Sequence, residues 1–214
     1  DPETIYGKIM KNSDMLNFDN KTGSFLIRCI PLTILYYYFS NNTSFFKFIE
    51  YITLDCKITH PNIDCINIAL MYGYAIFLAL KGVDKKEIFD TLINMNFAND
   101  THKKILYNSR LTPKYDILST WKEFHFGCAI QSAFYYFMKD YSIENAFKEI
   151  INMGGNTDLN CSIFGALYGA YYGYTSLPKR WIDSVMNSDD GESMYLRYEN
   201  LNYLRPYKID RYLQ

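Results

Sequence analysis

The chain has 214 residues, a length that suits one domain and is ample for a sizeable core. Hydrophobic residues make up 49% and aromatics 18%, which argues against disorder over most of its length. A formal net charge of −1, with no basic run, argues against nucleic acid or an anionic membrane as the main partner.

Five cysteines (Cys29, Cys56, Cys65, Cys128, Cys161) are dispersed, odd in number and free of CxxC spacing, so reduced and mostly buried thiols are expected. The first residues, "DPETIYGKIM", contain no apolar signal core, and a cytoplasmic setting is the expectation. Two apolar runs, "INIALMYGYAIFLALKG" and "CSIFGALYGAYYGY", are shorter than the ~20 residues of a spanning helix and read as buried helices of a bundle.

In chain order, "FLIRCIPLTILYYYF" predicts an apolar helix that Pro31 kinks or opens. "TSFFKFIEYITL" predicts a second. "THPNIDCINIALMYGYAIFLALKG" follows, with its cap near Thr59, Pro61 in the first turn and a stop at Gly82. "VDKKEIFDTLINM" is a short amphipathic helix, and residues 96–115 read as a polar surface connection. "LSTWKEFHFGCAIQSAFYYFMKDY" predicts a long helix, and "SIENAFKEIINM" a shorter one, capped by Ser142 and closed by Gly154-Gly155. Pro178 opens "PKRWIDSVM", and residues 189–214 form a polar, Tyr-rich tail. With no strand alternation, repeat or linker, the expectation is one all-α, compact multi-helix domain over residues 1–214.

The segment "MGGNTDLN", residues 153–160, gathers Asn156, Thr157, Asp158 and Asn160 at the mouth of an apolar helix. An N-cap accounts for one of them. Oxygen-bearing side chains on a loop entering a helix suit a hard cation such as Mg²⁺, although one carboxylate among amides and hydroxyls supplies little charge. Behind this mouth, Gly165, Gly169 and Gly173 recur every four residues, a ladder that suits either close helix packing or the floor of a ligand site.

"GGNTDLNCSIFGALYGAYYGYTSLPKRWID" resembles the signature block of the ADP-ribosylglycohydrolase family, Gly-Gly-Asp-Thr-Asp-Thr-Asn leading into a Gly/Ala-rich helix. "GSFLIRCIPLTILY", "ITHPNIDCINIAL" and "FHFGCAIQSAFYYF" are similar to further family blocks in the same order. The resemblance implies an all-α fold that hydrolyses the glycosidic bond between ADP-ribose and a protein or small-molecule acceptor. It also implies two divalent cations, Mg²⁺ or Mn²⁺, at the bottom of the cleft. On that resemblance Asp158 and Asn156 fall on acidic metal ligands, and Leu159 on a threonine ligand. Gly23 and Ser24 fall on the phosphate-approaching stretch, His60 on a histidine facing the distal cleft, and His125 near the aromatic that stacks on the nucleoside. Gly154, Gly155 and Thr157 complete the substrate-side set.

Asn156 and Leu159 depart from the pattern, and the family's Thr-Asp-Asp metal motif has no counterpart in the sequence. The alternative expectation is therefore a catalytically inactive relative that binds ADP-ribose or a partner. Self-association, or pairing with a separate N-terminal segment, is a further expectation.

Overall fold

A computed structural model describes residues 4–116 and 124–186. Among them are ten α-helices and no sheet, in agreement with the all-α expectation. The chain divides between Tyr172 and Gly173, and the two parts are described separately. The tail predicted for residues 189–214 lies outside the described residues.

The first part holds α1 (Ile5–Leu16), α2 (Phe25–Phe39), α3 (Phe45–Lys57), α4 (Ile63–Leu80) and α5 (Lys85–Ile93). They are followed by α6 (Asp100–Asn108), α7 (Phe126–Met138), α8 (Ile143–Met153) and α9 (Thr157–Tyr172). Its centre is α4, apolar enough all round to span a membrane by length and composition, with eleven residues buried in the bundle. Each buried Ile, Leu, Met or Tyr there contributes on the order of 1.5–3 kcal/mol. Gly73 on α4 admits Thr33 Oγ1 of α2 and the Phe48 ring of α3 to within 2.8 and 3.1 Å of where a Cβ would stand. Tyr72, fully buried, donates its hydroxyl to the Ile163 carbonyl of α9 at 2.8 Å.

Of the two placements expected for Pro31, the one inside the helix holds: it stands within α2 and does not open it. Several boundaries depart from the sequence reading. The cap of α4 is Asn62, whose side chain accepts from the Asp64 amide, and not Thr59. Within residues 96–115, read as a connection, lies α6, opened by a reciprocal capping box between Asn99 and His102. Its buried side chains are few (His102, Ile105, Leu106), so the apolar period is too short to detect in the sequence. Arg28, inside α2, pairs with Asp55 of α3 at 3.2 Å, which answers the cost of a cation on an apolar helix.

The glycine ladder is not one device. Gly165 receives the Phe147 ring of α8, 3.2 Å from a notional Cβ, so close packing explains it. Gly169 has open space around it, and Gly173 ends the helix at φ +80°. Beyond it come a 3₁₀ turn (Tyr174–Ser176) and α10 (Lys179–Met186), which Pro178 precedes as expected.

Lys85 ties α5 to the far ends of α7 and α9. Only 8% exposed, its ammonium donates to the Phe137 carbonyl at 2.7 Å and the Tyr172 hydroxyl at 2.6 Å, and it pairs with Asp140. All three donors are thus used, and the Phe137, Tyr171 and Tyr172 rings lie 4.7–5.2 Å away as a cation–π surround. Lys85→Met is expected to lower the urea midpoint by the equivalent of ~1–3 kcal/mol with the m-value unchanged. An unchanged midpoint would show that the clamp adds nothing.

Candidate functional site

The mouth of α9 is built on two glycines. Gly154 (φ 75°, ψ −160°) and Gly155 (φ +75°) turn the chain sharply from α8 into α9 through a conformation that side chains rarely adopt. The Thr157 amide donates to the Gly155 carbonyl at 3.0 Å, and the Asn160 amide to the Asn156 carbonyl at 3.0 Å. Asp158 is exposed in the first turn of α9, where helix polarity favours a carboxylate, and Asn156 and Thr157 are half-buried beside it. The next residues turn inward: Leu159 is 4% exposed and Asn160 5%. The Asn160 Oδ1 has no hydrogen-bond partner, a costly state for a buried acceptor.

A second segment, residues 20–24, meets this turn. The Gly23 amide donates to the Phe124 carbonyl at 3.0 Å and the Phe126 amide to the Lys21 carbonyl at 2.9 Å, so Thr22 and His125 face each other in an isolated antiparallel bridge. Gly23 is buried, and a Cβ there would stand 2.9 Å from Leu159 Cδ2 and 3.4 Å from Phe126 Cα. Ser24 is exposed at the start of α2 and makes no side-chain cap bond.

His60 anchors the same segment from behind. Buried beneath Phe25, with ring centroids 4.9 Å apart, it contacts Thr22 Oγ1 through Nε2 at 3.0 Å and Thr59 Oγ1 through Nδ1 at 2.8 Å. Thr22 donates its hydroxyl proton to Asn20 Oδ1 at 2.9 Å, so Nε2 carries the proton and Nδ1 accepts from Thr59. Burial, with the nearby Arg28 charge, pushes His60 down to about 4, so it is neutral at pH 7.

His125 caps α7, its Nδ1 accepting from the Gly127 amide at 3.0 Å. Its ring lies parallel to Tyr115 at 5.2 Å. Gly127 is the reason Tyr115 can lie there: a Cβ would come within 2.5 Å of the tyrosine ring. Tyr115, Lys114, Cys128 and Ser132 join Gly154, Gly155 and Asn160 around a pocket of about 290 Å³. That is near the lower bound of the 300–1,000 Å³ typical of small-molecule sites, enough for one ring system. A larger open groove, about 920 Å³, runs along α3, α4 and α5 and contains none of these residues.

The structure thus links these elements through intermediaries: Thr22 joins the Gly23 segment to His60, Leu159 joins it to α9, and Tyr115 stands between His125 and the pocket beside Gly154 and Gly155. Sequence reading missed Tyr115 and Thr22, which carry no motif of their own. A glycine beside His125 at the start of an otherwise apolar helix was the available signal for an aromatic neighbour. Cys161, next to the turn, is no nucleophile: burial pushes its thiol up to about 11.

The donor set does not fit a pair of dications. Asp158 is the one carboxylate of the turn, Asn156 offers a neutral amide, and the Leu159 side chain is committed to the core. Among the described residues no three His, Cys, Asp or Glu side chains gather as a cation site. Little charge is present to offset the desolvation of two such ions.

His60 makes stability pH-dependent. Its folded-state value of about 4 lies below the ordinary 6.5, so the unfolded chain takes up the proton first. Its contribution is fully present above pH 6.5 and is lost as pH falls toward 4, by up to about 3 kcal/mol. Urea unfolding at pH 7 and pH 4.5 is expected to show a smaller loss in His60→Gln than in the wild type. Equal losses would refute the assignment.

A profile of the ADP-ribosylglycohydrolase family matches residues 6–205. The chain is 28% identical over 213 residues to "Putative ADP-ribosyl glycohydrolase L543" of Acanthamoeba polyphaga mimivirus, covering 92% of this chain and 62% of that protein. It is 26% identical over 171 residues to human ADP-ribosylhydrolase ARH3, covering 63% of this chain and 47% of that protein. The chain therefore spans less than two thirds of the length of either relative. With a match over nearly its whole length and the expected all-helical architecture, the chain belongs to the ADP-ribosylglycohydrolase family.

Proposed function

We propose that this domain recognises ADP-ribose, free or attached to a protein or small-molecule acceptor, around Tyr115 and His125, residues 22–24 and the Gly154–Asp158 turn. The observation that carries this reading is the pocket beside this turn. Gly23 meets Leu159 of α9, more than a hundred residues away in sequence, and beside that contact the Gly154–Gly155 turn, Tyr115 and Asn160 line a pocket in which the buried Asn160 Oδ1 has no partner. A ligand N–H or O–H would answer that acceptor. The exposed backbone of Gly154 and Gly155 permits close approach, and Tyr115 offers an aromatic surface for a base. Asp158, half a turn away and exposed, can take hydrogen bonds from ribose hydroxyls.

Hydrolysis of the glycosidic bond is the second reading, favoured by one observation. Asp158 is a solvent-accessible carboxylate at a helix start, free of the ion pairs found among the described residues. Against it stand the neutral amide at Asn156 and the buried Leu159. Recognition without turnover is the better supported of the two.

Calorimetric titration of ADP-ribose tests the first reading. Saturable binding is expected, weakened roughly tenfold by Tyr115→Ala and little by Tyr115→Phe. Absence of binding would refute it. Release of ADP-ribose from an ADP-ribosylated peptide is expected at the buffer rate. Turnover that Asp158→Ala abolishes would establish the second reading in its place.

A further inference from the structure

We infer that the junction between residues 21–24 and the α9 turn is held by an apolar contact, Leu159 against Gly23, and that the α9 turn works without a divalent cation. The inference rests on the ADP-ribose reading for its ligand and on the site geometry for everything else.

Two surfaces must meet here. Residues 21–24 carry Gly23 and Ser24, and the α9 turn carries Asn156, Thr157 and Asp158. In a metal-built site, ions bridge such segments with charge and fixed oxygen geometry. Here the bridging position is filled by hydrocarbon. Leu159 is 4% exposed and its Cδ2 lies where only a glycine leaves room, 2.9 Å from a notional Cβ on Gly23. The Gly23 side of the contact is fixed independently by the hydrogen bond its amide donates to the Phe124 carbonyl and by Phe126 Cα, 3.4 Å from the same notional Cβ. A leucine in this position cannot ligate, and it removes water from the wall that an ion would need hydrated or ligated. Asn156 takes the second change in the same direction, since an amide oxygen carries no net charge to hold a dication. Both changes are coherent: one removes charge, the other replaces a ligand by packing.

The contact therefore acts as a positioning device, in which Leu159 sets the height of residues 21–24 relative to Asp158 and Asn160. Shortening it would loosen the cleft while leaving every polar group in place.

Two measurements test this. Calorimetric titration of the chain with MnCl₂, with no nucleotide present, is expected to give no saturable heat, and the melting temperature is expected to be the same in EDTA and in millimolar Mn²⁺. Saturable Mn²⁺ binding that Asp158→Ala removes would overturn the inference. In EDTA, Leu159→Ala is expected to weaken ADP-ribose binding about fivefold or more, whereas Leu159→Met, which keeps the volume, stays within about twofold. Equal affinities for wild type and Leu159→Ala would overturn the positioning role. Because the Mn²⁺ titration contains no nucleotide, a failure of ADP-ribose to bind would sink the recognition reading and leave the cation result standing by itself.

Discussion

The burial of α9 between α4 and α7 is the constraint on which the site depends. Ile163, Phe164 and Leu167 are wholly buried, and Tyr72 of α4 reaches across to the Ile163 carbonyl. With its body fixed in this way, the first turn of α9 has one place to be, and Gly154 and Gly155 bring the chain to it from α8. The polar residues at that turn are therefore presented by a rigid element rather than by a free loop, which is what a precise binding geometry requires.

From that turn the site extends outward by contact. Leu159 meets Gly23, whose backbone pairs with the strand-like stretch before α7. Thr22 meets His60, and His125 stacks on Tyr115. Every link is short-range and either apolar or neutral. Both His60 and His125 are pushed down to about 4 by burial, so neither adds a charge near neutral pH. The charged groups nearby serve the scaffold. Asp64 is held low against its burial by Lys21, Asn99 and His102, and it joins α4 to the 20s segment and to α6. The result is a cleft whose charged side chains are few, the exposed Asp158 at the turn and Lys114 at the pocket, which favours recognition through shape and hydrogen bonds over charge-driven chemistry.

Much of this was legible in the sequence where the signal was strong and local. The apolar stretch Phe25–Phe39, the long run ending at Gly82, the Ser142 cap and the Gly154 turn each carry a pattern that single residues cannot disguise. Helix α6 was not legible, because a nine-residue helix with three buried side chains lacks a readable period, and its cap uses histidine where glutamate is the familiar partner. The ladder of glycines misled in the other direction: a regular spacing concealed three different causes, a ring contact at Gly165, open space at Gly169 and a helix end at Gly173. In the site, residue types named the turn, but the Tyr115–His125 stack and the Leu159–Gly23 contact join residues far apart in the chain and required the fold to reveal them.

The account turns on what lies between Leu159, Gly23 and Asp158, and a crystal structure of the chain grown with ADP-ribose and Mn²⁺, with anomalous data collected for manganese, examines that space directly. The account predicts ADP-ribose against the Gly154–Asp158 turn, Leu159 still packed on Gly23, and no anomalous peak at Asp158. A manganese peak on Asp158 and Asn156, with Leu159 displaced from Gly23, would contradict it.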